Sequence, residues 1–244
     1  MRVFDFPVSL QRVYTKEGKE VPRVRSVVRD DTGMPISCVS DKYTLVHHKE
    51  VVDRAEEFFH KLGTPDIQYT LGENGRTLLA NVTFKDRTFE VAKNDIVGLR
   101  VFVQNSYDAS SAVKVRIGAL RLACLNGMVV ANNAYSYSHK HKGVIDIELP
   151  SVDSVLNGLE ERTDFWRKLV GLEIQDQDND RIRNIFIEKK LVPQSVEIDT
   201  ATTAWDLYNN YTYHITHDSK RLSPLGTIHR LSSVDKIFNE QFAS

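Results

Sequence analysis

No acidic residue falls between Ala109 and Ile145, although five lysines and arginines stand there: Lys114, Arg116, Arg121, Lys140 and Lys142. In a chain of net charge −1 this absence places positive potential on one stretch, and the balance of the whole excludes a polycation that coats nucleic acid indiscriminately. Only two cysteines occur, Cys38 and Cys124, each inside an apolar stretch. They read as two buried thiols of a reduced protein, with no disulfide framework. No apolar run approaches the roughly 20 residues of a membrane-crossing helix. The N-terminus, Met1-Arg-Val-Phe-Asp-Phe-Pro7, lacks the uninterrupted apolar segment of a secretory signal, so a cytoplasmic protein with no membrane partner is expected.

The usual marks of catalysis are missing as well. There is no G-x-S-x-G elbow, and neither cysteine has a nucleophile motif around it. Gly72-Glu-Asn-Gly75 and Asn126-Gly127 lack the lysine and spacing of a phosphate loop; the first reads as a hairpin turn and the second as a turn. Gln175-Asp-Gln-Asp-Asn-Asp180 opens like a calcium loop, but Arg181 takes the place of the required glycine and Ile187 that of the closing glutamate. It reads as an acidic helix start. No enzyme activity and no cofactor are expected.

What is present is a strand-rich first part and a helical second part. Val3–Tyr14, Val21–Arg29 and Ile36–Val46, separated by turns at Gly18 and Gly33, predict an antiparallel meander. His47–Leu62 spaces Val51, Val52, Ala55, Phe58, Phe59 and Leu62 for one helix face. Strands are predicted at Ile67–Leu71, Thr77–Phe84, Ile96–Gln104 and from Val113, with a bulge or a change to helix at Gly118-Ala119 that would re-aim Arg121. After Pro150, apolar stripes including Trp166, Phe186, Leu207 and Phe242 predict helices. The fold class is α+β, divided into a strand-rich core, 1–150, and a helical part, 151–244, that packs on it or joins subunits.

Lys114 and Arg116 alternate with Val113, Val115 and Ile117, so both cations leave one strand face. With Arg121, Lys140 and Lys142 they supply charge for phosphates, and Tyr107, Tyr135 and Tyr137 supply rings on which unpaired bases stack. The bland alternative is a solvated strand whose neutralising acids lie on other segments. His139 and His141 would share a strand face, a geometry metal sites use, but no carboxylate or cysteine stands near them. They read as a polar loop at the margin of the positive face. Asn105 and Asp108 read as residues that bond their own loop backbone.

Four segments carry a resemblance: Ser40-Asp-Lys-Tyr-Thr-Leu-Val46, Asn105-Ser-Tyr-Asp108, Gly118-Ala-Leu-Arg-Leu-Ala-Cys-Leu-Asn-Gly-Met128 and Thr203-Ala-Trp-Asp-Leu-Tyr-Asn209. In order and spacing they resemble a family of phage- and plasmid-encoded proteins catalogued as domain of unknown function number 932. That resemblance implies a setting among replication, recombination or anti-restriction genes and assigns no role to any residue. The meander, the helix over 47–62 and the cationic strand also resemble single-strand annealing proteins, which implies a sheet whose cations line a groove for a DNA backbone.

The expected function is therefore binding of single-stranded DNA, or strand annealing in phage recombination or replication, by a homo-oligomer. The alternative is a non-enzymatic inhibitor that binds a host defence or nucleic-acid enzyme. Its acidic helical part, Asp146 to Asp199, would mimic a DNA backbone with thirteen Asp and Glu against seven Lys and Arg over 146–200. A metal-dependent nuclease using Asp and His residues is the third reading.

Overall fold

Two glycines set the first sheet. Gly18 and Gly33 hold φ of 78° and 70° in its two turns, the left-handed region where a side chain is strained. They reverse the chain between β1 (Val8–Tyr14), β2 (Glu20–Arg29) and β3 (Met34–Ser40), an antiparallel sheet of that order. The structure is a computed structural model that describes residues 2–122, 126–129, 137–143, 149–218 and 224–243.

β1 starts at Val8, after Pro7, and not at Val3 as expected. The preceding Phe4 and Phe6 are buried instead as anchors. β3 stops at Ser40, and the chain turns so that Tyr43 points inward, joining Phe6, Val8, Val27, Ile36, Val39 and Tyr107 in one apolar cluster. Cys38 contradicts the expectation of a buried thiol. A bulge between the Val27 and Val28 pairings shifts the register of β3, and Cys38, opposite Ser26, is exposed and free. Cys124 lies outside the described residues.

Helix α1 (His48–Leu62) buries each apolar residue of the predicted stripe. A second sheet has the order β4 (Pro65–Leu71), β5 (Thr77–Ala92), β6 (Asp95–Ser106), β7 (Val113–Arg121), β8 (Asn126–Val129), and β9 (Tyr137–His139) also pairs with β7. A 3-10 turn at Glu73–Gly75 joins β4 to β5. Asn126 and Gly127 are not a turn: they pair with Arg121 and Leu120 as part of β8.

The chain forms two compact units: Met1–Phe84, Val101–Arg116 and Asn133–Val152 in the first, and Lys85–Arg100, Ile117–Asn132 and Asp153–Ser244 in the second. The helices α2 (Val152–Gly171), α3 (Asp176–Glu188), α4 (Ala204–Tyr213) and α5 (Pro224–Phe242) follow the strands, and a π-helical turn, His214–Asp218, extends α4. Local chemistry starts two of them. Gln175 and Asp178 form a capping box at α3, and the Thr203 hydroxyl accepts from the Asp206 N–H at 3.1 Å ahead of α4.

The core of the second unit is aromatic: Trp166 lies 6.2 Å from Trp205, Trp205 stacks on Tyr208 at 5.7 Å, and Phe186 stacks on Tyr211 at 3.9 Å. Within it the Arg162 guanidinium bonds the Asp235 carboxylate, and it also donates to Asn239 Oδ1 at 3.0 Å. The mixed α+β class predicted from the sequence is the class observed. No helix among the described residues is long and apolar enough to cross a membrane.

Candidate functional site

Period-2 alternation does at β7 what the sequence predicts. Val113, Val115 and Ile117 are buried, while Lys114 and Arg116 between them are half-buried. Antiparallel pairing sets Lys114 opposite Ser138 of β9, and the chain leaving β9 delivers Lys140, His141 and Lys142 to the same place. The loop at Ala109–Ala112 and the turn after β3, with Ser40, Lys42 and Tyr43, complete a groove of about 610 Å³ in the first unit. Four lysines line it, Lys42, Lys114, Lys140 and Lys142, with Ser40, Ser110, Ser111 and Ser138 among them. No carboxylate is among the described residues lining it.

The cations of β7 carry the cost of this arrangement. Burial pushes the Lys114 ammonium below the usual lysine value, and the like charge of Arg116 adds to it. Burial likewise lowers Arg116, whose Nη1 is buried with no hydrogen-bond partner among the described residues. A bound anion would relieve the strain on Lys114.

Three expected members, Arg116, Tyr137 and Arg121, are not among the lining residues. Tyr137 pairs with Val115, and His139 with Val113, so both take the face of the buried valines and are half-buried there, their rings parallel within 13° at 6.4 Å. Tyr137 does not line the groove, and Tyr135 lies outside the described residues. His139 and His141 do not share a strand face, because β9 ends at His139. Among the described residues no group of three or more His, Cys, Asp or Glu could hold a metal ion.

Arg121 is the larger correction. β7 runs without the interruption expected at Gly118-Ala119, and Arg121 follows Ile117 and Ala119 on their buried side. There, in the second unit, its Nε and Nη2 donate to the two oxygens of Asp95, each at 2.7 Å, and the Trp205 indole N–H donates to Asp95 Oδ2 at 2.8 Å. Burial pulls the Asp95 carboxyl upward, but the bonds from Arg121 and Trp205 and the charge of Arg121 outweigh it and hold the group below the usual carboxylate range. A guanidinium held in this fork is already neutralised. Arg121 is therefore a structural cation.

A buried polar cluster underlies the groove. Tyr43 donates its hydroxyl to the Ser106 carbonyl at 2.7 Å, and its ring stacks on His141 at 4.8 Å. His48 is fully buried, stacked on Tyr107 at 3.8 Å. Asn105 Nδ2 lies 2.9 Å from His48 Nδ1, so Nδ1 accepts and Nε2–H donates to the Gly75 carbonyl at 3.0 Å. The same Asn105 amide donates to the Val46 carbonyl at 2.9 Å, not to its own loop. Asp108 does bond its loop, accepting from the Ser110 N–H at 2.9 Å. Burial drives the His48 imidazole down to about 4, which agrees with the single-proton arrangement those partners demand.

A family model described as Domain of unknown function (DUF932) matches residues 35–235. The chain belongs to that family. No curated protein matches it, and no solved structure does. The four segments that resemble the DUF932 family fall into two spatial pairs. Ser40–Val46 and Asn105–Asp108 meet in the first unit through Tyr43 and Ser106, while Arg121 and Trp205, from the other two, meet at Asp95 in the second. Sequence reading alone missed Lys42 and Asp95. Lys42 sits beside Tyr43 in one of the four segments that carry the family resemblance, and that neighbourhood was the available signal.

Proposed function

We propose that this DUF932 protein binds single-stranded nucleic acid, single-stranded DNA above all, along the lysine groove of its first unit, and that it acts by binding and not by catalysis. The convergence of Lys42, Lys114, Lys140 and Lys142 on one groove without a lining carboxylate is what carries the reading. Phosphates contacted by lysines release counterions, and the gain falls as salt rises. A space of about 610 Å³ suits a nucleotide-sized piece of one strand. The reading extends to strand pairing in recombination or replication of a mobile genetic element, inside the cytoplasm, because annealing needs backbones held and base edges exposed and needs neither nucleophile nor metal.

The experiment is a titration of labelled single strands, duplex DNA and polyaspartate. The expected order has single strands bound most tightly, with affinity falling steeply with salt. Equal binding of polyaspartate would reduce the groove to a general anion site. No binding of any polyanion would favour a partner protein instead. The same preparations test the absence of catalysis: DNA and RNA should stay intact with Mg²⁺ or Mn²⁺ present, and cleavage lost on replacing His139 or His141 would contradict it.

A further inference from the structure

We infer that His141 is a positioning residue of the groove: it pins the turn that carries Lys140 and Lys142 to the segment that carries Lys42, so that three of the four lysines meet a strand already in place. The inference rests on the reading of the groove as a nucleic-acid site. β9 stops at His139, so Lys140 and Lys142 lie beyond the ladder that sets Ser138 opposite Lys114. A three-residue turn centred on His141 follows, closed by the Lys142 N–H donating to the Lys140 carbonyl at 2.7 Å. The middle residue goes inward and its neighbours outward: His141 is 7% exposed, while Lys140 and Lys142 are exposed and line the groove.

Three hydrogen bonds and a ring stack hold that turn against Tyr43 and Thr44. The Thr44 N–H donates to the His141 carbonyl at 3.1 Å, and the Thr44 hydroxyl donates to the Gly143 carbonyl at 3.0 Å. His141 Nδ1 lies 3.1 Å from the Thr44 carbonyl, which can only accept, so Nδ1 carries the hydrogen and donates it. The ring lies on Tyr43 at 4.8 Å with 15° between the planes, and the Tyr43 hydroxyl is itself tied to the Ser106 carbonyl at 2.7 Å. Lys42 precedes Tyr43 in the chain, so one imidazole links the backbones that bear Lys42, Lys140 and Lys142. A turn ordered only on binding would subtract its conformational entropy from the affinity. The clip removes that cost before a strand arrives.

A salt titration with single-stranded DNA counts the phosphates engaged, at about −0.7 in slope for each. His141→Ala leaves all four lysines in the chain, yet the slope should weaken from about −3 to about −1.5, as if Lys140 and Lys142 had been removed. His141→Asn, whose side-chain N–H can replace Nδ1–H toward the Thr44 carbonyl, should recover part of it. Thr44→Val loses only the bond to Gly143 and should weaken the slope less, in the same direction; it carries the comparison if His141→Ala does not fold. The deciding result is non-additivity. With Lys140 and Lys142 already replaced by alanine, His141→Ala or Thr44→Val should change slope and affinity no further. A residue needed only for the fold would lower binding in that background too, and that outcome overturns the inference. So does a full slope in both clip variants. Either leaves the lysine groove standing, whereas failure of the unaltered protein to bind any single strand overturns both readings.

Discussion

Replacing Asp95→Ala should destabilise the folded protein by about 3–5 kcal/mol, the cost of removing one partner from a buried ion pair. The Asp95 and Arg121 side chains are only 11% and 23% exposed, and the Asp95 carboxylate takes three hydrogen bonds, two from Arg121 and one from the Trp205 indole. Without it a guanidinium and an indole N–H remain in a site that water barely reaches. Asp95→Asn, which keeps an acceptor but loses the charge, should cost less, about 1–3 kcal/mol. Urea unfolding reads both. Under conditions where the variants are folded, their affinity for single-stranded DNA should equal that of the unaltered protein, because Arg121 holds the second unit together and does not reach for phosphate. Unchanged stability with lost binding would reverse that assignment.

The second large effect is on pH dependence. An unfolded His48 takes up a proton near pH 6.5, whereas the folded one refuses it until about pH 4. Between those values the unfolded state binds more protons, so stability rises with pH across the window and is lost as pH falls through it. The full loss attributable to His48 is about 3 kcal/mol. The main reason is burial, which penalises the charged ring; a second ring proton would also face the Asn105 amide, itself a donor, beside the stacked Tyr107 ring. His48→Gln should have lower stability at pH 7 but a shallower decline on acidification. Unfolding measured at pH 7 and near pH 4 checks this, and parallel declines in both proteins would contradict it.

Periodicity made much of the fold legible. The apolar spacing from Val51 to Leu62 gave α1, and the alternation from Val113 to Ile117 placed Lys114 and Arg116 on the face of β7 opposite the buried valines. What stayed hidden depended on distant partners. Arg121 looks like Lys114 in the sequence, but its fate is set by Asp95, 26 positions away, and by Trp205, 110 positions from Asp95. Cys38 was misjudged because one bulge changes which residues of a strand face inward, and nothing local marks the bulge. Trp166 and Trp205, large members of the apolar stripes of the helices, are buried within the second unit. The groove needed three segments to converge, and charge alone could name only some of its members.

The salt dependence of single-strand binding tests the central claim most directly. Four lysines on a single strand should give a slope of about −3 in the logarithm of affinity against the logarithm of salt concentration. A variant with Lys42, Lys114, Lys140 and Lys142 all replaced by alanine removes three exposed side chains and one half-buried one, so it should fold. The account predicts that its slope collapses toward zero and that its affinity falls with it. A slope and affinity equal to those of the unaltered protein would contradict the claim that this groove is where the strand is held.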